Sequence, residues 1–134
     1  MSSYQTVELK STQKIEFIDI TARVREMLRT SKSSSGILLV YTPHTTAAVT
    51  INENADPAVP QDIGEFLQRL APQQDYFRHG EGNSPAHIMS SLVGASETLV
   101  VNNGEPILGS WQGIFFCEFD GPRPRRVFLK FIPG

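Results

Sequence analysis

The sequence predicts an α+β domain of about seven strands and two to three helices, with strands dominant in the second half. Three observations carry this expectation. Alternating or continuous apolar runs of strand length recur along the chain. Three other segments repeat apolar residues at helical spacing, and each opens on Asp or Ser, two of them followed at once by Pro. Clusters rich in Gly, Pro, Asn and Asp separate the pieces.

Residues 4–10 (YQTVELK) and 14–18 (KIEFI) alternate polar and apolar side chains and read as a strand pair joined by a short polar link. Asp19 can cap the helix that follows, in which Ile20, Val24, Met27 and Leu28 form one apolar stripe. SKSSSG is an ordinary loop, and GILLVYT is a buried strand. TAAVTIN follows as another strand, with His44 in the turn between the two. Asp56-Pro57 opens a second helix that places Ile63, Phe66, Leu67 and Leu70 on one face. Pro60 near its start predicts an irregular first turn. Residues 72–83 lack periodicity and read as a loop. Ser84-Pro85 is the cap-plus-proline signal of a short helix that Gly94 closes. Three strands finish the chain: ETLVVN, SWQGIFFCEF and RRVFLKFI.

Bulk properties narrow the class. A chain of 134 residues fits one domain, spanning 1–134, and can bury a core without a metal or disulfide staple. A net charge of −2 argues against a nucleic-acid partner. No apolar run approaches the ~20 residues of a membrane span, and MSSYQTVELK does not read as a signal peptide. Cys117 is the sole cysteine and has no internal disulfide partner, which suits a reducing cytoplasm. No phosphate-binding loop, dinucleotide fingerprint or serine-hydrolase elbow occurs.

The polar residues that stand out are few. His44, His79 and His87 are the only histidines, one in a strand junction, one in the irregular loop, one in the first turn of a helix. No HxH or HxxxH spacing links them, and each alone also fits a solvated imidazole. The helix start at Ser84, with His87 and Ser90 one and two turns on, could offer donors to a phosphate; an ordinary capped helix has the same pattern. Glu53 closes a strand, while Glu118 and Asp120, two apart at a strand end, point to the same side. Such acids can orient a histidine or help hold a metal, though strand ends often carry acids as plain surface charge. Arg123, Arg125 and Arg126 crowd the turn GPRPRR; their forks suit phosphate, or a solvated turn or subunit interface. Trp111 reads as packing, and Cys117 as a buried spectator.

In order, PHTTAAVTINENADP, YFRHGEGNSPAHIMSSLVG and LGSWQGIFFCEFDGPRPRRV resemble the small YjbQ-like family over nearly the whole chain. The resemblance implies a mixed, β-sandwich-like α+β domain that assembles as a homotrimer with polar pockets near subunit boundaries. It also implies a secondary thiamine-phosphate synthase activity, joining a pyrimidine-methyl diphosphate to a thiazole phosphate with release of pyrophosphate. The family's polar signature falls here on His44, Thr45, Glu53, His79, His87, Gln112, Glu118 and Asp120. The loop after His79 departs from the family in being short and ending NSPAH.

Two chemistries then share the same residues. As a transferase, the chain would hold phosphate with Arg125 or Arg126, Ser84, Ser90 and His87. Glu118 or Asp120 would serve magnesium or a histidine, and His44 would act as acid or base. As a metal-dependent hydrolase or a binding protein for a phosphorylated metabolite, it would gather His44, His79 and His87 around zinc with a vacant fourth position. Sequence leaves both open.

Overall fold

The computed structural model describes residues 3–134. Two antiparallel sheets stack face to face. The larger has five strands in the order β1, β8, β3, β5, β6, and the smaller has three, β2, β7, β4. These are β1 (Gln5–Lys10), β2 (Glu16–Asp19), β3 (Gly36–Tyr41), β4 (Ala47–Glu53), β5 (Ser96–Asn102), β6 (Glu105–Pro106), β7 (Gln112–Glu118) and β8 (Pro124–Pro133). The helices are α1 (Thr21–Thr30), α2 (Ala58–Leu70) and α3 (Ser84–Val93). The sandwich is therefore α+β as expected, with every strand pairing antiparallel and an eighth strand of two residues.

Strand alternation builds the layers. Val7, Leu38, Val40, Leu99, Val101, Val127 and Leu129 point inward from the large sheet and meet Val49, Ile114 and Phe116 of the small one. The stripe Ile20, Val24 and Leu28 of α1 closes the rest of that interior. The other face of the small sheet packs Ala48, Phe115 and Cys117 against Ala86 and Met89 of α3. Because β7 lies between these two layers, both sets of its side chains are buried, which explains its unbroken apolar run.

Several local expectations change. β1 and β2 do not pair: β1 lies on β8, and β2 lies on β7 in the other sheet. Ser11, buried between them, pins the crossing, as its hydroxyl bonds to Glu118 and the Arg123 backbone. Asp19 sits one residue outside the cap of α1, yet its Oδ1 accepts the Thr21 N–H at 2.9 Å. Asp56 accepts the Ala58 N–H at 2.9 Å, and α2 is regular from Ala58. Pro60 falls in the first turn, where no intrahelical donor is needed. Asn83, not Ser84, occupies the cap of α3; Ser84 is its first helical residue. On α2, Ile63 and Leu67 are half-buried, whereas Phe66 and Leu70 face outward at 64% and 56% exposure.

Candidate functional site

The ends of β7 and β8 converge with the β3–β4 connection at one pole of the sandwich. Inward alternation along β8 through Leu129 and Val127 carries Arg125 into the interior. Glu118 arrives there from β7 by the same rule, in line with Ile114 and Phe116. The pair is buried, with Glu118 at 0% and Arg125 at 5% exposure. Arg125 Nε donates to Glu118 Oε1 at 2.8 Å, and its terminal nitrogen donates both to Oε2 and, at 2.8 Å, to Thr46 Oγ1. Ser11 Oγ donates to Oε1 at 2.6 Å, and the Asp120 N–H donates to Oε2 at 3.0 Å. Burial by itself would raise the Glu118 carboxyl, but the bonds from Arg125, Ser11 and Asp120 outweigh it and hold it below the ordinary range.

One residue further, alternation turns Arg126 outward. Its backbone N–H donates to His44 Nε2 at 3.0 Å. That bond requires an unprotonated Nε2, so neutral His44 carries its hydrogen on Nδ1. Burial, then the charges of Arg125 and Arg126, lower the His44 pKa from its ordinary value of 6.5, against a smaller opposing pull from Glu118. His44 is thus a neutral donor beside three arginines.

Asp120 links this cluster to α3. Its Oδ2 accepts from the Asn83 amide at 2.8 Å and from Arg123 at 2.9 Å. Beside it lies a cleft of about 390 Å³, bounded by Lys14, Gln73, Asn83 and Asp120. His79 and His87 meet edge to face, with ring centroids 5.2 Å apart. A separate cleft of about 350 Å³, between the end of α1 and β1, β3 and β8, is lined by no carboxylate or imidazole.

Several candidate residues take other places. Ser90 is buried and donates its hydroxyl to the Ala47 carbonyl at 2.6 Å, which leaves it no free donor for phosphate. Glu118 spends both oxygens on Arg125, Ser11 and the Asp120 N–H, which leaves it no free acceptor site for a proton or magnesium, and Arg125 spends Nε and one terminal nitrogen on Glu118 and Thr46. Ser84 lies in the first turn of α3 without a side-chain cap bond. Glu53 pairs with Gln112 at the far end of β4, whereas Ala47 pairs with Glu118. Six residues of strand separate them, roughly 20 Å, so Glu53 stands outside this pole of its own chain. Among the described residues no three His, Cys, Asp or Glu side chains gather closely enough to hold a metal ion. Within one chain, His44, His79 and His87 therefore do not form a zinc centre. At this pole Asp120 Oδ1 accepts no hydrogen bond, since both its partners bind Oδ2. It suits magnesium, which takes one or two carboxylates and completes its shell with water and substrate phosphate.

Sequence reasoning missed Ser11, Thr46 and Asn83. Ser11 touches Glu118 across 107 residues, and no local pattern announces such a contact.

Fold and site together define a small antiparallel sandwich with a helical outer layer and an arginine-rich polar pole. The chain belongs to the YjbQ-like UPF0047 protein family, whose model matches residues 5–134. It is 52% identical over 125 residues to UPF0047 protein MJ1081 of Methanocaldococcus jannaschii, covering 93% of this chain and 91% of the relative. It is 49% identical to UPF0047 protein YugU of Bacillus subtilis, covering 96% and 98%. A YjbQ/UPF0047-family crystal structure from Clostridium acetobutylicum superposes with TM-score 0.92 at 48% identity, covering 96% and 99% of the two chains. The crystal structure of hypothetical protein APE1520 from Aeropyrum pernix K1 superposes with TM-score 0.91 at 37% identity, covering 98% of each chain.

Proposed function

We propose that the arginine-rich pole binds a small phosphorylated metabolite and that the chain acts on it as a thiamine-phosphate-forming transferase. The observation that supports this most is the setting of His44, a neutral imidazole bonded at Nε2 to the Arg126 N–H amid arginine charge. Such a pole favours an anion and keeps one N–H donor, Nδ1, for it. In the reaction, the bond from the pyrimidine methyl carbon to the diphosphate oxygen breaks and diphosphate leaves with the electron pair. The thiazole nitrogen supplies its lone pair to form the new C–N bond. Arg123 and Arg126 offset the charge growing on the departing oxygens, and His44 Nδ1–H donates to them. Magnesium carried with the diphosphate and held at Asp120 would add charge neutralisation.

The test is calorimetric titration with inorganic pyrophosphate, followed by a product assay with both precursors and magnesium. Thiamine phosphate formed by the wild type and lost in His44→Ala supports the transferase. Pyrophosphate binding without turnover would leave a metabolite-binding protein instead. Absence of pyrophosphate binding overturns both.

We infer also that the chain assembles as a homotrimer in the cytoplasm. Ile37, Val100 and Ile132 lie side by side across β3, β5 and β8 on the outer face of the large sheet, 44–59% exposed. An apolar patch of that kind suits a subunit contact. Light scattering after gel filtration should give three times the chain mass, and Ile37→Lys should lower it. Among the described residues no helix is long and apolar enough to cross a membrane.

A further inference from the structure

The opposite end of that outer face carries aromatic rings. Tyr41 of β3 lies directly across from Phe128 of β8, their centroids 6.2 Å apart and planes 29° from parallel. Tyr4 also meets Phe128, with centroids 5.0 Å apart and planes at 68°. The Arg126 guanidinium sits over the Phe128 ring, 5.6 Å from its centre. Tyr4 and Tyr41 remain 47% and 41% exposed. Among the described residues Arg126 makes no ion pair, although Glu8 is its register partner on β1. The shelf adjoins the polar pole, because the Arg126 backbone holds His44.

We propose that Tyr41 and Phe128, flanked by Tyr4, form a stacking shelf for the planar ring of a ligand whose phosphate is held by Arg126 and His44. This rests on the anion reading above and deepens it by assigning the flat ring of the phosphate ester to Tyr41 and Phe128. Charge complementarity selects the occupant. An apolar partner protein would leave the Arg126 guanidinium desolvated and unpaired, whereas an anionic ring ester satisfies ring and cation together. Two-residue periodicity explains the juxtaposition: Arg126 and Phe128 share one face of β8 and so present charge and ring side by side.

Calorimetry with three probes tests it: inorganic pyrophosphate, 4-nitrophenyl phosphate and glycerol 3-phosphate. The wild type should bind the nitrophenyl ester about tenfold more tightly than the glycerol ester, the scale of one stacked ring. Tyr41→Leu should bring that ratio to within about twofold, at an unaltered melting temperature. If Tyr41→Leu melts early, Tyr4→Ser at the chain end should still reduce the ratio. Equal affinity for the two esters, with pyrophosphate bound, overturns the shelf and leaves the anion site standing. No binding of pyrophosphate overturns the anion site and the shelf with it.

Discussion

Arg125 and Glu118 form a two-pronged ion pair in the interior of the sandwich, seven residues apart in the chain and on neighbouring ends of different sheets. Ser11 and the Asp120 backbone fill the remaining acceptor sites of Glu118, and Thr46 accepts from one terminal nitrogen of Arg125. The prediction is that Glu118→Gln destabilises by about 3–5 kcal/mol in urea unfolding, since it leaves Arg125 buried without a counter-charge. Replacing both, as Glu118→Leu with Arg125→Met, should recover most of that loss. If the double variant is no better than the single, the pair contributes more than mutual neutralisation.

Gly121 has no room for a side chain. A Cβ there would lie 2.6 Å from Ser11 Oγ and 2.9 Å from Glu118 Cγ. Gly121→Ala is expected to cost about 1–3 kcal/mol, the range of overpacking, measured by thermal melting. Pyrophosphate affinity should fall with it, because the same turn carries Arg123.

Ser90 separates stability from binding. Its hydroxyl bonds to the Ala47 carbonyl inside the protein and faces no ligand. Ser90→Ala should lower stability by about 1 kcal/mol and leave the pyrophosphate dissociation constant unchanged. A weakened dissociation constant at matched stability would return Ser90 to the site.

Arg126 separates in the opposite direction. Arg126 has an exposed side chain and makes no ion pair among the described residues. Arg126→Ala should weaken pyrophosphate binding on the order of tenfold, with little change in melting temperature, since one charge-assisted contact is removed.

Acid should act in two steps. The His44 pKa is lowered by burial and by Arg125 and Arg126, so the unfolded chain takes up its proton first as pH falls below 6.5. Stability contributed by neutral His44 is therefore present above that pH and lost as pH falls through the folded value. Glu118 also has a lowered pKa, where bonds from Arg125, Ser11 and Asp120 prevail over the raising effect of burial. Its contribution is present above 4.5 and is lost below, as pH falls through its folded value. Urea unfolding across pH should show both slopes, and His44→Gln should flatten only the first. An NMR titration placing His44 above 6.5 would contradict the environment described.

Much of the architecture was legible because it is written in short-range periodicity. The stripe Ile20, Val24 and Leu28 declared α1, and the run RRVFLKFI declared β8. Phe66 and Leu70 misled for the same reason: helical spacing identifies an apolar face, but only a neighbour buries it, and α2 has none there.

The sequence by itself determined the α+β class, the three helices, the main strands and the family. The tertiary structure decided how they combine. It sent β1 and β2 to different sheets, brought Ser11 to Glu118, moved Arg125, Glu118 and Ser90 into the scaffold, and set Glu53 roughly 20 Å from Glu118. Propensity and pattern act over a few residues, whereas sheet partnership depends on contacts between segments scores of residues apart. An arginine that meets solvent and its neighbour that meets a buried carboxylate have the same local spelling, and only the packed layers distinguish Arg126 from Arg125.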